Sequence, residues 1–188
     1  VNASSLMSQL LDIATSMQDM DFTPSFDLLD YFTAEECYDF FQGGNLWWYL
    51  AYGPAKETRG LMPYRMAPLL EKILDDAFAG LDSPVKSATL RFGHDTIIMP
   101  LAALLELDHW GEAVDDLSTL AEVYPDYKLI PMASNIQIIF YKERNRKQQE
   151  MGDMGDVLVK FLLNERECTL PIPTDMAPYY HWRDFRDY

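Results

Sequence analysis

Apolar residues recur at helical spacing along the first eighty residues, which predicts a helix-rich beginning. The stretch "SSLMSQLLDIATSMQDM" predicts one helix, with Ser4 and Ser5 as candidate N-caps. The stretch "TAEECYDFFQGG" predicts a second, with Thr33 as N-cap, Glu36 completing a capping box, and Gly43-Gly44 as the stop. The stretch "MPYRMAPLLEKILDDAFAG" predicts the longest helix, with Gly80 beyond its end.

After "LDSPVKS" the pattern changes to short apolar runs. The stretch "ATLRF" (88–92) predicts a strand, "TIIMPLAALLEL" a helix, "YKLIPMASNIQIIFYKER" one or two strands, and "DVLVKFLLNERECTLPI" another pair. The charged, Gly-containing stretch 142–156 predicts a solvated hairpin loop. The order of a strand, a helix and then further strands indicates a piece of an α/β sheet. The last strands would be antiparallel additions to that sheet.

Composition narrows the class of protein. The 188 residues are 48% hydrophobic and carry a formal net charge of −15, which indicates a globular chain and argues against nucleic-acid binding. No apolar stretch approaches the roughly 20 residues of a membrane helix, so we expect no membrane insertion. Cys37 and Cys168 have no ligand spacing; buried thiols are the favoured interpretation and a single disulfide the alternative. No pattern predicts a metal site, and the acidic pairs Asp75-Asp76 and Asp115-Asp116 fit solvated helix positions.

Titratable side chains stand at the junction between "ATLRF" and the next helix. Gly93 would allow a sharp turn, after which His94 and Asp95 would lie at a helix N-terminus that favours an anion. A phosphate held there would meet an imidazolium and a carboxylic acid that could protonate a departing alkoxide. The plainer alternative is a helix N-cap with a neighbouring hydrogen bond. His109 and His181 each precede a Trp in polar surroundings, which fits a surface or packing role.

The stretch "LRFGHDTIIMPLAALLEL" resembles the C-terminal catalytic motif of the histidine acid phosphatases, which include phytases and multiple inositol polyphosphate phosphatases. The stretches "NLWWYLAYGP", "YRMAPLLEKIL" and "ASNIQIIFYKE" look like the same part of that family, so the resemblance covers roughly residues 40 to 170. It implies that His94 contacts the phosphate and that Asp95 is the general acid. Many inositol polyphosphate phosphatases have His-Ala-Glu there, whereas this sequence has His-Asp.

The family's nucleophile is a His in an Arg-His-Gly-x-Arg-x-Pro motif, which does not occur in these 188 residues. The resemblance therefore implies the C-terminal portion of a longer phosphatase, and the N-terminal remainder of the same protein as a partner. Residues 1–60 would be the end of an α-helical insertion and its return to the core. Residues 61–188 would be the C-terminal part of the α/β phosphatase core, a histidine-phosphatase-like sheet with flanking helices.

The leading hypothesis is phosphomonoester hydrolysis through a phosphohistidine, without a cofactor or metal. The resemblance ranks inositol polyphosphates first among phosphorylated small molecules as substrates, and implies a periplasmic or secreted location. Because the nucleophile motif is absent, we expect this chain alone to be inactive. The alternative is a non-catalytic phosphate-binding or interaction domain that lacks the nucleophile.

Overall fold

The computed structural model describes residues 2–21, 25–83, 85, 87–142 and 157–188. The chain divides into two compact units, Val1–Trp47 and Trp48–Tyr188, and helix α2 (Ala34–Tyr52) contains the boundary between them. The predicted division at residue 60 concerns the parts of a longer protein and stays a prediction. Helices together with an antiparallel sheet make up the described residues, which agrees with a mixed α/β composition.

The first unit begins with helix α1 (Ala3–Ser16). Its N-cap is Asn2, whose Oδ1 accepts a hydrogen bond from the amide of Ser4 at 3.1 Å, so the prediction of Ser4 or Ser5 as cap is wrong by two to three positions. Helix α1 packs against a 3-10 turn at Leu28–Tyr31.

Helix α2 starts as predicted and ends later. The amide of Thr33 donates to Glu36 Oε2 at 2.8 Å and the amide of Glu36 donates to Thr33 Oγ1 at 3.2 Å, which is a complete capping box. Gly43-Gly44 does not stop the helix, because their cost of about 1 kcal/mol each is small against a continuous hydrogen-bond ladder. The glycine that follows the end is Gly53, where a Cβ would lie only 2.7 Å from Tyr49 O.

The second unit contains helix α3 (Ala67–Asp82), preceded by a 3-10 turn at Pro63–Met66. Gly80 lies inside α3 instead of beyond it. The helix has no fully buried residue, and its Phe78 side chain is 47% exposed.

Residues 88–92 form no strand, so the predicted "ATLRF" strand is wrong for this chain. A strand requires a hydrogen-bonded neighbour, and no described strand pairs with this segment. Leu90 and Phe92 are 75% and 93% exposed, as expected of apolar side chains on a segment that lacks a neighbour.

Helix α4 (Asp95–Leu104) confirms the helix predicted for "TIIMPLAALLEL" and continues through Pro100. It packs against the Pro63–Met66 turn. Two short helices follow, α5 (Leu120–Val123) and α6 (Asp126–Leu129). Helix α6 occupies "YKLI", where the sequence had predicted a strand.

The sheet contains strands β1 (Ile136–Tyr141), β2 (Leu158–Leu163), β3 (Arg166–Cys168) and β4 (Tyr180–His181), and every pairing is antiparallel. Strand β2 is central and pairs with the other three. The hairpin predicted around 142–156 agrees with the register Tyr141↔Leu158, although residues 143–156 lie outside the described part.

One face of β2 forms the core beneath helix α7 (Trp182–Asp187). The Phe161 ring lies 4.8 Å from that of Phe185, and Phe140 on β1 meets Trp182 edge-on at 5.2 Å. Within the described residues, no helix has both the length and the apolar character needed to cross a bilayer.

Candidate active site

The backbone changes from extended to helical between His94 and Asp95. His94 has φ −120° and ψ 165°, and its carbonyl accepts the first bonds of α4, from the amides of Ile97 at 2.9 Å and Ile98 at 3.2 Å. Its exposed imidazole makes no capping hydrogen bond. The structure thus places His94 beside the positive end of the helix dipole, with its ring available to a ligand.

Asp95 is the first residue of α4 and is half-buried. Its Oδ1 accepts the amide of Thr96 at 2.8 Å, so the carboxylate satisfies one of the N–H groups that a helix start leaves open. This hydrogen bond fits the alternative interpretation, in which Asp95 caps the helix N-terminus. For Asp95 to protonate a leaving group, its carboxyl would have to turn from the Thr96 amide towards the substrate.

Gly93 does not have the role that its sequence position predicted. A Cβ on Gly93 would meet Ile97 Cγ1 at 3.8 Å, which is ordinary contact, and its φ lies outside the left-handed region. The turn before His94 therefore does not depend on glycine.

Helix α4 is anchored beyond its C-terminus. Its second half is buried from Met99 to Ala103, and the chain then passes through left-handed conformations at Glu106, Asp108 and His109 (φ 51°, 45° and 69°). The Asp108 carboxylate fastens this turn to Thr169, the residue after β3, through bonds of 2.8 and 3.1 Å. These contacts fix the C-terminal end of α4, which is the end opposite to His94.

An ion-pair cluster lies on the other side of the junction. Asp76 on α3 accepts from Lys72 Nζ at 2.6 Å through Oδ1 and from Arg91 through Oδ2. The Lys72 hydrogen bond, reinforced by Arg91, holds the pKa of the Asp76 carboxyl below its usual value. The sequence had suggested a solvated helix position for Asp76, whereas the structure gives its carboxylate two cationic partners.

The second acidic pair also differs from its prediction. Asp115 forms an ion pair with Lys56, and Asp116 caps the 3-10 turn at Leu117–Thr119 through a 2.9 Å bond from the Ser118 amide. Neither aspartate is part of a regular α-helix.

The other two histidines each contact a nearby carboxylate. His109 Nδ1 lies 2.6 Å from Glu112 Oε1 at an exposed site, and His181 Nε2 lies 2.9 Å from Asp175 Oδ1. Both fit the predicted surface or packing role. The described ranges contain no group of three His, Cys, Asp or Glu side chains that could hold a metal ion.

Two open grooves lie elsewhere in the described chain. One of about 660 Å³ is in the first unit, and one of about 400 Å³ lies between the Asp108 turn and α5. Neither is lined by His94 or Asp95. The candidate site is therefore an exposed junction, and the described residues do not enclose it.

The sequence singled out His94 and Asp95 as candidate site residues and gave no indication of the Asp76–Arg91 pair. Arg91 stands three residues before His94, but its partner is 15 positions away and gives no local signal.

Comparison with known proteins finds no family model that matches this chain and no curated protein that matches it.

Proposed function

We propose that this chain is the C-terminal part of a phosphomonoesterase of the histidine acid phosphatase type. His94 contacts the phosphate, and Asp95 donates a proton to the ester oxygen as the P–O bond breaks. The N-terminal remainder of the protein supplies the nucleophilic His, which forms the new P–N bond of a phosphohistidine. Inositol polyphosphates are the first substrates to test, because the sequence resemblance points to them, and a periplasmic or secreted location belongs to the same proposal.

One observation carries the proposal. An exposed imidazole and a half-buried carboxyl group stand next to each other where extended backbone becomes helix, at the N-terminal, positive end of the α4 dipole. This arrangement suits a phosphoryl group, because an imidazolium and the positive end of the helix dipole attract its oxygens, and the acid can reach the ester oxygen once it turns from the Thr96 amide.

The segment before His94 supports the larger assembly. Residues 88–92 are exposed and form neither helix nor strand, and their apolar side chains Leu90 and Phe92 are 75% and 93% accessible. A neighbouring strand from the remainder of the protein would satisfy the backbone and cover these side chains.

The test uses the protein expressed from its complete reading frame. We expect an Arg-His-Gly-x-Arg-x-Pro motif upstream, release of inorganic phosphate from inositol hexakisphosphate, and an acid-labile phosphoenzyme after a quench with labelled substrate. Phosphate binding without hydrolysis would favour the non-catalytic binding domain. A complete protein that neither binds nor hydrolyses phosphate esters would overturn both functions.

A further inference from the structure

The segment that delivers His94 to the start of α4 runs beside α3. Ser87 Oγ would lie 3.6 Å from a Cβ built on Gly80, and Arg91 reaches Asp76 one helical turn earlier along α3. Among the described residues, no backbone–backbone hydrogen bond involves 87–93. The Arg91 side chain is therefore the main polar link between this segment and the body of the unit.

The Asp76–Arg91 ion pair is partly shielded from solvent. The side chains of Arg91 and Asp76 are 32% and 30% exposed, whereas Lys72, the second partner of Asp76, is 64% exposed. Screening by water is weaker for the Arg91 pair than for the Lys72 pair, and a guanidinium holds a carboxylate in a more defined direction than an ammonium does. Lys72 and Asp76 both lie on α3, so within this cluster the Arg91 bond is the one that ties the segment to that helix.

We propose that the Asp76–Arg91 ion pair is a positioning device that sets where His94 and Asp95 stand. The proposal rests on the phosphatase function proposed above. Arg91 does not touch the substrate; it acts through the backbone of residues 91–94. The Asp108–Thr169 bonds hold the far end of α4, and the Asp76–Arg91 pair holds the segment that enters it.

A positioning role predicts a large effect on the reaction rate and a small effect on the stability of the fold. A partly exposed ion pair contributes little to the free energy of unfolding, on the order of 1 kcal/mol or less. A displacement of about 1 Å in a reacting group, however, can cost about a hundredfold in rate. Loss of the pair should therefore leave the protein folded and impair mainly the step that needs the Asp95 proton.

The experiment compares Arg91→Gln, Asp76→Ala and the double variant in the protein from the complete reading frame. The matched controls are Asp75→Ala, which makes the same change one position away, and Lys72→Gln, which leaves the Arg91 bond in place. We expect each pair variant to lower kcat on an alkyl phosphate about tenfold to a hundredfold. The double variant should lose no more than either single variant, and both controls should stay within about twofold of wild type.

The leaving group distinguishes positioning from general damage. With p-nitrophenyl phosphate, whose leaving group scarcely needs a proton, the pair variants should lose clearly less than with the alkyl ester. Equal losses on both substrates, accompanied by a fall in Tm, would show a merely structural role and overturn the proposal. Activity lost in Arg91→Gln but kept in Asp76→Ala would also overturn it, because Arg91 would then contact the substrate itself.

Amide hydrogen exchange provides a readout that does not need activity. In both pair variants the amides of Ile97 and Ile98, which donate to the carbonyl oxygen of His94, should exchange faster than in Asp75→Ala and Lys72→Gln. A wild-type protein without phosphatase activity would overturn the proposed function, while faster exchange confined to the pair variants would still support the holding role. Unchanged exchange would overturn that role whether or not the protein is a phosphatase.

Discussion

Asp108 and Thr169 are joined by three hydrogen bonds across a separation of 61 residues. The amide and hydroxyl of Thr169 donate to Asp108 Oδ1 at 2.8 and 3.1 Å, and the amide of Asp108 donates to Thr169 O at 3.0 Å. Asp108 also has a left-handed backbone, with φ 45°. One side chain therefore stabilises an unfavourable turn and joins the end of α4 to the sheet.

Asp108→Ala should lower the free energy of unfolding by about 1–3 kcal/mol, because two bonds are lost and alanine is strained at positive φ. Asp108→Asn keeps an acceptor oxygen and tolerates the left-handed region, so its loss should be clearly smaller. Urea unfolding monitored by circular dichroism measures both. Equal losses in the two variants would contradict the assignment of the bonds to Oδ1.

Gly93→Ala should leave stability unchanged or raise it by about 0.4–1 kcal/mol, because the added methyl group fits against Ile97 and alanine reduces the freedom of the unfolded chain. Gly53→Ala is the matched control, since its Cβ would lie 2.7 Å from a backbone oxygen and should destabilise. Tm values of the two variants make the comparison. Strong destabilisation by Gly93→Ala would show that the turn before His94 does require glycine.

Glu36 should make the stability of the first unit depend on pH. The Thr33 amide, followed by its hydroxyl, lowers the pKa of this carboxyl from the ordinary value of 4.5. Because the folded pKa is depressed, the stabilisation is present above the unfolded pKa and is lost as the pH falls through the folded one. The difference in stability between wild type and Glu36→Gln should therefore shrink on acidification below about pH 4.5. A difference that stays constant from pH 7 to pH 3 would contradict the capping box.

Asp95→Asn in the complete protein should lower kcat on an alkyl phosphate by about two to four orders of magnitude, because the leaving oxygen loses its proton donor. The loss should be much smaller with p-nitrophenyl phosphate. His94→Ala removes a phosphate contact and should weaken both substrates to a similar degree. Equal losses for Asp95→Asn on the two esters would leave Asp95 as the cap of α4.

Elements set by local sequence were predictable. The Thr33–Glu36 capping box needs only residues three positions apart, and the α4 helix follows from one apolar run after a polar junction. The β2–β3 hairpin, with register Phe161↔Cys168, likewise joins neighbouring segments. For these elements, propensity and packing favour the same conformation.

Elements that depend on distant partners were missed. The apolar residues of 88–92 suit a strand, but no described strand lies beside them to complete its hydrogen bonds. The "YKLI" stretch is apolar enough for a strand, yet its hydrogen bond from Ile130 N to Asp126 O closes a helical turn. The Asp76–Arg91 contact depends on how α3 lies against the segment before α4, which periodicity does not encode.

The buried thiol of Cys168 has a consequence for labelling and storage. Its side chain is 2% exposed, and burial, with the Asp108 charge, raises its pKa to about 12, so almost none of it is the reactive thiolate at neutral pH. Cys37 is also a free thiol and is only half-buried. A maleimide dye applied to the folded chain will therefore mark one position, Cys37, without mutagenesis, and air oxidation will start there while Cys168 stays reduced.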